Sequence, residues 1–130
     1  MTDSNTARPV VDVIIPALNE ESSIGLVIDN IPKEIVRNII VVDNGSSDNT
    51  VSNAAERGAT VLKEGERGYG SACLRGLEFI EAGKPHPDIV VFMDGDYSDH
   101  PEELPTVIRP IISDNHDMVL GSRVLGTREK

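Results

Sequence analysis

Residues 38–63 read NIIVVDNGSSDNTVSNAAERGATVLK. An apolar, β-branched run (38–43) stops at Asp43, and Asn44-Gly45 follows as a turn signal. DNTVSNAAERG (48–58) then reads as a helix closed by Gly58, with Ser47 or Asp48 available to cap it. ATVLK (59–63) starts a further strand at once. Strand, helix, strand within so short a span predicts a parallel crossover.

The flanking sequence repeats the alternation. Upstream, VVDVII (10–15) reads as a buried strand stopped by Pro16, and IGLVIDNI (24–31) as a helix ended by Pro32. Downstream, EGERGYG (64–70) opens a helix from about Ser71 to Ala82, and DIVVFMD (88–94) is a strand. Pro101 starts a helix through about Ile111, and MVLGS (118–122) is a last strand. The strands are continuously rather than alternately apolar, so both sheet faces should be covered. The expectation is an α/β fold, a mostly parallel, Rossmann-like sheet with helices on both faces. Residues 1–9 read as a flexible N-terminus and 10–130 as one domain.

Composition excludes several functions. The chain has 22 acidic against 12 basic residues, a net charge of −10, which is the wrong sign for a nucleic-acid groove or an anionic lipid surface. Cys73 is the single cysteine. It gives no disulfide framework and reads as a buried, inert thiol. His86, His100 and His116 are scattered and read as surface. There is neither a signal-peptide pattern nor an apolar run of membrane-spanning length, so the expected location is cytoplasmic.

In a parallel sheet, ligands bind beyond the carboxyl ends of the strands. Those ends carry PALNEES, DNGSSD, EGERGYG, DGDYSD and GSR, all polar or glycine-rich. Asp43 either braces its turn or accepts N–H donors from a nucleobase edge. Asn19 and Glu20 resemble a helix start, where acids suit the dipole, or groups facing a ribose or base. Gly65, Gly68 and Gly70 let the backbone approach closely, and Arg67 with the following helix start could hold a phosphate. FMDGDYSDHPEEL (92–104) packs five carboxylates without a Lys or Arg. Asp94 and Asp96, separated only by Gly95, can turn toward one hard cation such as Mg2+ or Mn2+. Asp99, Glu102 and Glu103 suit the cap and first turn of a helix.

These motifs together, PALNE (16–20), VVDNGSSDNT (41–50), RGYGSACLRG (67–76), the DGD pair and LGSR (120–123), resemble a family-2 glycosyltransferase of the A-type fold. The closest likeness is to the dolichyl-phosphate mannosyltransferases and polyprenyl-phosphate sugar transferases. The resemblance covers about residues 10–126. It implies a UDP- or GDP-sugar donor, with Pro16, Ala17, Asn19 and Glu20 in the first nucleotide-binding loop and Asp43 at the base. Arg67 and Gly68 fall near the diphosphate. Asp94 matches the ribose-side carboxylate and Asp96 the ligand of the divalent metal, with Gly95 between them counted among the donor-binding residues. Arg123 matches a basic residue near an acceptor phosphate, which pairs it with Asp96 as a catalytic candidate. The family's second carboxylate after the second strand is Asn44 here. Family members continue past the GSR motif, so the chain reads as a nucleotide-binding half lacking its acceptor part.

The implied reaction is transfer of a hexose to a polyprenyl or dolichyl phosphate, with inversion, at the cytoplasmic face of a membrane. A retaining transferase of the glucosyl-3-phosphoglycerate synthase type and a non-catalytic nucleotide-sugar-binding module stay open beside it. A metal-dependent nucleotidyltransferase is disfavoured, because PALNEES lacks a glycine- and lysine-rich phosphate loop.

Overall fold

The computed structural model describes residues 9–97, 101–104, 118–120 and 123–124. The elements are β1 (Val11–Ala17), α1 (Ile24–Asp29), β2 (Asn38–Asp43), α2 (Thr50–Glu56), β3 (Thr60–Lys63), α3 (Tyr69–Ala82), β4 (Ile89–Phe92), β5 (Met118–Leu120) and β6 (Arg123–Val124). They build one sheet in the order β3-β2-β1-β4-β5-β6. The first five strands are mutually parallel, and β6 returns antiparallel to β5. The expected mostly parallel α/β sheet is what forms.

Side-chain alternation divides the interior into two layers. Val11, Val13, Ile15 and Ala17 of β1 meet α1 (Ile24, Val27, Ile28) and Ala54 of α2 on one face. Ile14 points the other way and packs with Ile40, Val42 and Phe92 beneath Ala72 and Ile80 of α3. Both faces of the central strands are therefore dry, which is why their sequence lacks a polar alternate position. Asp12 is the exception: it is fully buried within β1, and Arg37 answers it with two hydrogen bonds, from Nε (3.1 Å) and Nη2 (2.7 Å). The third arm of Arg37 donates to the Pro85 carbonyl, tying the α3–β4 connection to the amino-terminal edge of the sheet.

β1 does not stop before Pro16. It continues to Ala17, with Pro16 paired in register to Val42 of β2. A proline is tolerated in this central strand because of where its missing N–H would point. The Ile14 carbonyl accepts from Met93, so Ile14, and two residues on Pro16, face β4. The β1–β4 register ends at Ile14–Phe92. At Pro16 there is no longer a partner on that side, and a donor would be wasted.

Other boundaries move less. The helices predicted over 24–31 and 48–58 are shorter, β4 is shorter than 88–94, and α3 begins at Tyr69. Pro101–Glu103 forms a 3-10 turn. The rest of the helix predicted to Ile111, the cap at Asp99 and residues 1–8 lie outside the described residues. The short β6 was not anticipated: a two-residue run has no readable period, and only pairing with β5 defines it.

α3 sits close to β1 because Gly76 has no side chain. A Cβ there would lie 2.8 and 2.9 Å from methyl carbons of Ile14. Gly76→Val should lower stability by about 1–3 kcal/mol through overpacking. Urea unfolding followed by circular dichroism measures it, with an unchanged transition slope.

Candidate functional site

The strand order reverses between β1 and β4, and this is where parallel sheets hold their ligands. The early end of β1–β4 pairing leaves the crevice open. A cleft of about 420 Å3 occupies it, lined by Pro16 and Ala17 at the end of β1, by Leu18 and Glu20 after it and by Asn44 after β2. Arg67, Gly68 and Tyr69 close a second side, and Asp94, Gly95 and Asp96 a third. Nearly all the candidates read from the sequence thus meet in one place.

The walls are stitched together by side chains that hydrogen-bond to backbone of another loop. Asn19 takes a left-handed backbone (φ 55), which asparagine tolerates. Its N–H donates to Ser46 Oγ (2.8 Å), and its side-chain oxygen accepts from Ser47 N–H (2.9 Å). Glu20 N–H donates to Thr50 Oγ1 (2.8 Å), and Asn49 N–H to a Glu21 carboxylate oxygen (3.0 Å). Ser23 Oγ donates to the Gly95 carbonyl (2.7 Å), joining the start of α1 to the DGD turn. Asn44 binds the loop of residues 64–68 through three hydrogen bonds.

Two candidates, Asn19 and Asp43, are not among the residues that line the cleft. Asn19 spends its carboxamide oxygen on the Ser46–Ser47 turn. Asp43 is 1% exposed, and its carboxylate accepts from Gly45 and Ser46 N–H groups at 3.2–3.3 Å. Of the two readings left open for Asp43, the turn brace is the contact it makes. The Arg123 side chain lies outside the described residues; its backbone starts β6 opposite Leu120. Leu18 and Tyr69 line the cleft without having been singled out from the sequence. Tyr69 could have been suspected, since it sits between two glycines at a helix start.

The electrostatics of the cleft are lopsided. Asp94, Asp96 and Asp48 all raise the pKa of Glu20, though its burial is the largest cause and a Ser23 hydrogen bond opposes them. Among the described residues, no three His, Cys, Asp or Glu side chains come close enough to hold a metal ion. Asp94 and Asp96 offer oxygens of the kind a hard ion such as Mg2+ or Mn2+ takes. Arg67 faces them from another wall. It forms no hydrogen bond or ion pair among the described residues, so its guanidinium is available to an anion. The α3 N-terminus lies beside it, with first-turn N–H groups that no helical carbonyl satisfies.

Two backbone features shape these walls. Gly68 has φ +124, a conformation that favours glycine, just before α3. Tyr97 follows the DGD turn in a left-handed conformation (φ 64), rare for an aromatic residue, with its side chain packed on the larger core layer. Cys73, one turn into α3, is partly rather than fully buried, and burial pushes its thiol pKa up.

The sequence model of Glycosyl transferase family 2 matches residues 12–130. The chain belongs to glycosyltransferase family 2. A UDP-N-acetylglucosamine–dolichyl-phosphate N-acetylglucosaminyltransferase of Methanococcus voltae is 33% identical over 141 aligned positions, covering 95% of this chain and 55% of that protein. An uncharacterised protein of Methanocaldococcus jannaschii is 36% identical over 118, covering 90% of this chain and 48% of its own length. Among solved structures, the glucosyl-3-phosphoglycerate synthase of Mycobacterium tuberculosis superposes with a TM-score of 0.69 at 34% identity, over 84% of this chain and 42% of that one. That enzyme has been crystallised with Mn2+, UDP-glucose and phosphoglyceric acid. The fold is that of the A-type nucleotide-sugar transferases. This family-2 chain spans about half the length of the curated relatives it matches first.

Glu20 gives the family-2 cleft a testable pH signature. Its pKa is raised in the folded protein, so ionisation costs stability there: the folded state is favoured at acidic pH and loses that advantage as pH rises through the raised value. Glu20→Gln should therefore raise the melting temperature at neutral pH. The gain should disappear below the ordinary glutamate pKa of about 4.3, where both proteins are uncharged at this position. Paired thermal melts from pH 3.5 to 8 measure it.

Proposed function

We propose that this chain is the donor-binding part of a hexosyltransferase that takes its sugar from UDP or GDP and delivers it, with inversion, to a polyprenyl or dolichyl phosphate. The observation that carries the proposal is the meeting of the Asp94–Asp96 pair with Arg67, which forms no hydrogen bond or ion pair among the described residues, in the crevice between β1 and β4. Two carboxylates that could hold a cation, together with a guanidinium and a helix N-terminus on another wall, fit a diphosphate, which needs positive charge on both sides.

The residues divide the work. Asp94 and Asp96 would hold Mg2+ or Mn2+, which when bound neutralises charge on the departing nucleoside diphosphate. Arg67 and the start of α3 hold the same phosphates from the opposite wall. Pro16, Ala17, Leu18 and Glu20 form the floor for base and ribose, and Asp43 keeps the adjoining turn in shape. Arg123 begins the strand that returns from the ligand-bearing edge, a position suited to orienting an anionic acceptor. A phosphate acceptor is already a nucleophile and needs no general base. Likeness to the M. voltae dolichyl-phosphate transferase supports the lipid acceptor.

A second reading has its own support. The M. tuberculosis synthase shares the fold at 34% identity, and its complexes contain UDP-glucose and phosphoglyceric acid. It corresponds to a retaining transferase with a small soluble acceptor. The configuration of the anomeric carbon in the product, read by NMR, separates the two.

Donor binding is the first test. UDP-glucose, UDP-N-acetylglucosamine and GDP-mannose are titrated with and without Mn2+ while the melting temperature is followed. At one hundred times Kd, the matching donor should add about 2.7 kcal/mol. In a chain of this size that is a rise of roughly 8 °C or more. Asp96→Asn should remove the Mn2+-dependent part. No Mn2+-dependent shift with any of the three donors sinks the proposal.

A further inference from the structure

Asn44 follows Asp43 at the end of β2 and is 8% exposed. Its carboxamide is fully used. Nδ2 donates to the Glu64 carbonyl at 2.9 Å and the Glu66 carbonyl at 2.8 Å. Oδ1 accepts from Gly68 N–H at 3.0 Å. Its own N–H donates to the Ala17 carbonyl at 3.0 Å, so the residue also holds the end of β1. The loop it captures carries Arg67 and Gly68. Among the described residues that loop's other backbone anchors are Glu64 N–H to the Asp43 carbonyl (2.9 Å), Glu66 N–H to a Glu64 carboxylate oxygen (2.8 Å) and Ala72 N–H to the Gly68 carbonyl (3.2 Å).

This geometry is specific to an amide. Two carbonyl oxygens converge on one end of the side chain and one N–H on the other. A carboxylate of the same size could still accept from Gly68, but it would face the Glu64 and Glu66 carbonyls with no proton to offer. An aliphatic side chain would leave all three backbone groups without partners at a largely buried site. Either change removes hydrogen bonds that hold the loop to the end of β2.

We propose that Asn44 is a positioning residue for donor binding: it acts through the loop of residues 64–68, fixing Arg67 and the α3 N-terminus where they grip the diphosphate. The inference rests on the donor-binding reading given above. Asn44 itself need not touch the donor's phosphates. Its effect should fall on affinity for the diphosphate and should vanish once Arg67 is gone.

The test has two arms. In the unsubstituted chain, NMR exchange should show the two Asn44 carboxamide protons and the Gly68 amide protected from solvent; rapid exchange of all three overturns the proposal. In the second arm, calorimetry compares Mn2+-UDP with UMP, and Mn2+-GDP with GMP, for wild type, Asn44→Asp, Arg67→Ala and the double variant. Asn44→Ser serves in place of Asn44→Asp if the latter fails to fold. The expected result is a loss of about tenfold or more in diphosphate affinity for Asn44→Asp, a much smaller loss for the monophosphate, and little further loss in the Arg67→Ala background. Equal losses for mono- and diphosphate, or a full additional loss in the double variant, would mean general damage and overturn it. Wild-type binding with an unaltered Asn44→Asp profile sinks this inference alone. No nucleotide binding by wild type sinks the donor-binding reading with it.

Discussion

Pairing between β1 and β4 ends at Ile14–Phe92, three residues before β1 itself does. Everything functional about the fold depends on that early parting. Two parallel strands that stayed paired to their ends would bring their following loops together and close the crevice. Pro16, which has no N–H to donate, sits on the side of β1 where that pairing has ended. The chain after β4 turns away, the DGD turn is set apart from PALNE, and the space between becomes the cleft. The proline that looked like a stop is a one-sided terminator: β2 remains paired, β4 does not.

An open crevice is useful only if its walls hold still, and long polar loops are ordinarily the mobile parts of a fold. This chain answers with short polar side chains whose hydrogen-bond capacity is spent on neighbouring backbone. Asn19 reads the Ser46–Ser47 turn, Thr50 takes the Glu20 N–H, Ser23 takes the Gly95 carbonyl and Asn44 takes three groups of the next loop. Each loop is thereby fastened to the one beside it. Such bonds stabilise by about 1 kcal/mol each, but their directionality fixes loop position in a way that apolar contact does not.

The charge arrangement follows from the same architecture. Parallel strands bring the DGD carboxylates and Glu20 to one edge, where burial and mutual repulsion oppose ionisation of Glu20. Arg67 stands on another wall of the same cleft and forms no hydrogen bond or ion pair with them among the described residues. The cleft thus concentrates negative charge on one wall and sets a guanidinium on another. Cation and diphosphate together would balance it, one supplying positive charge to the acids and the other negative charge to Arg67. Stability has been conceded at this edge, while the Asp12–Arg37 pair at the opposite edge is closed on itself.

The sequence by itself determined the sheet and most of the cleft. Continuous β-branched runs at 38–43 and 88–94 can be satisfied only by burial on both faces, and that forces a parallel sheet with its loops gathered at one edge. Pro16, Ala17, Glu20, Arg67, Gly68 and Asp94–Asp96 were legible as residues that line the crevice, because motif and strand end coincide. Only the tertiary structure decided what Pro16, Asn19, Asp43 and Asn44 do. Their contacts run to residues 20–30 positions away or depend on which side of a strand has lost its neighbour, and linear spacing carries neither kind of information. Asn44, read as the absence of a carboxylate, holds three backbone groups of the next loop, because hydrogen-bond demand is set by where those groups meet in space.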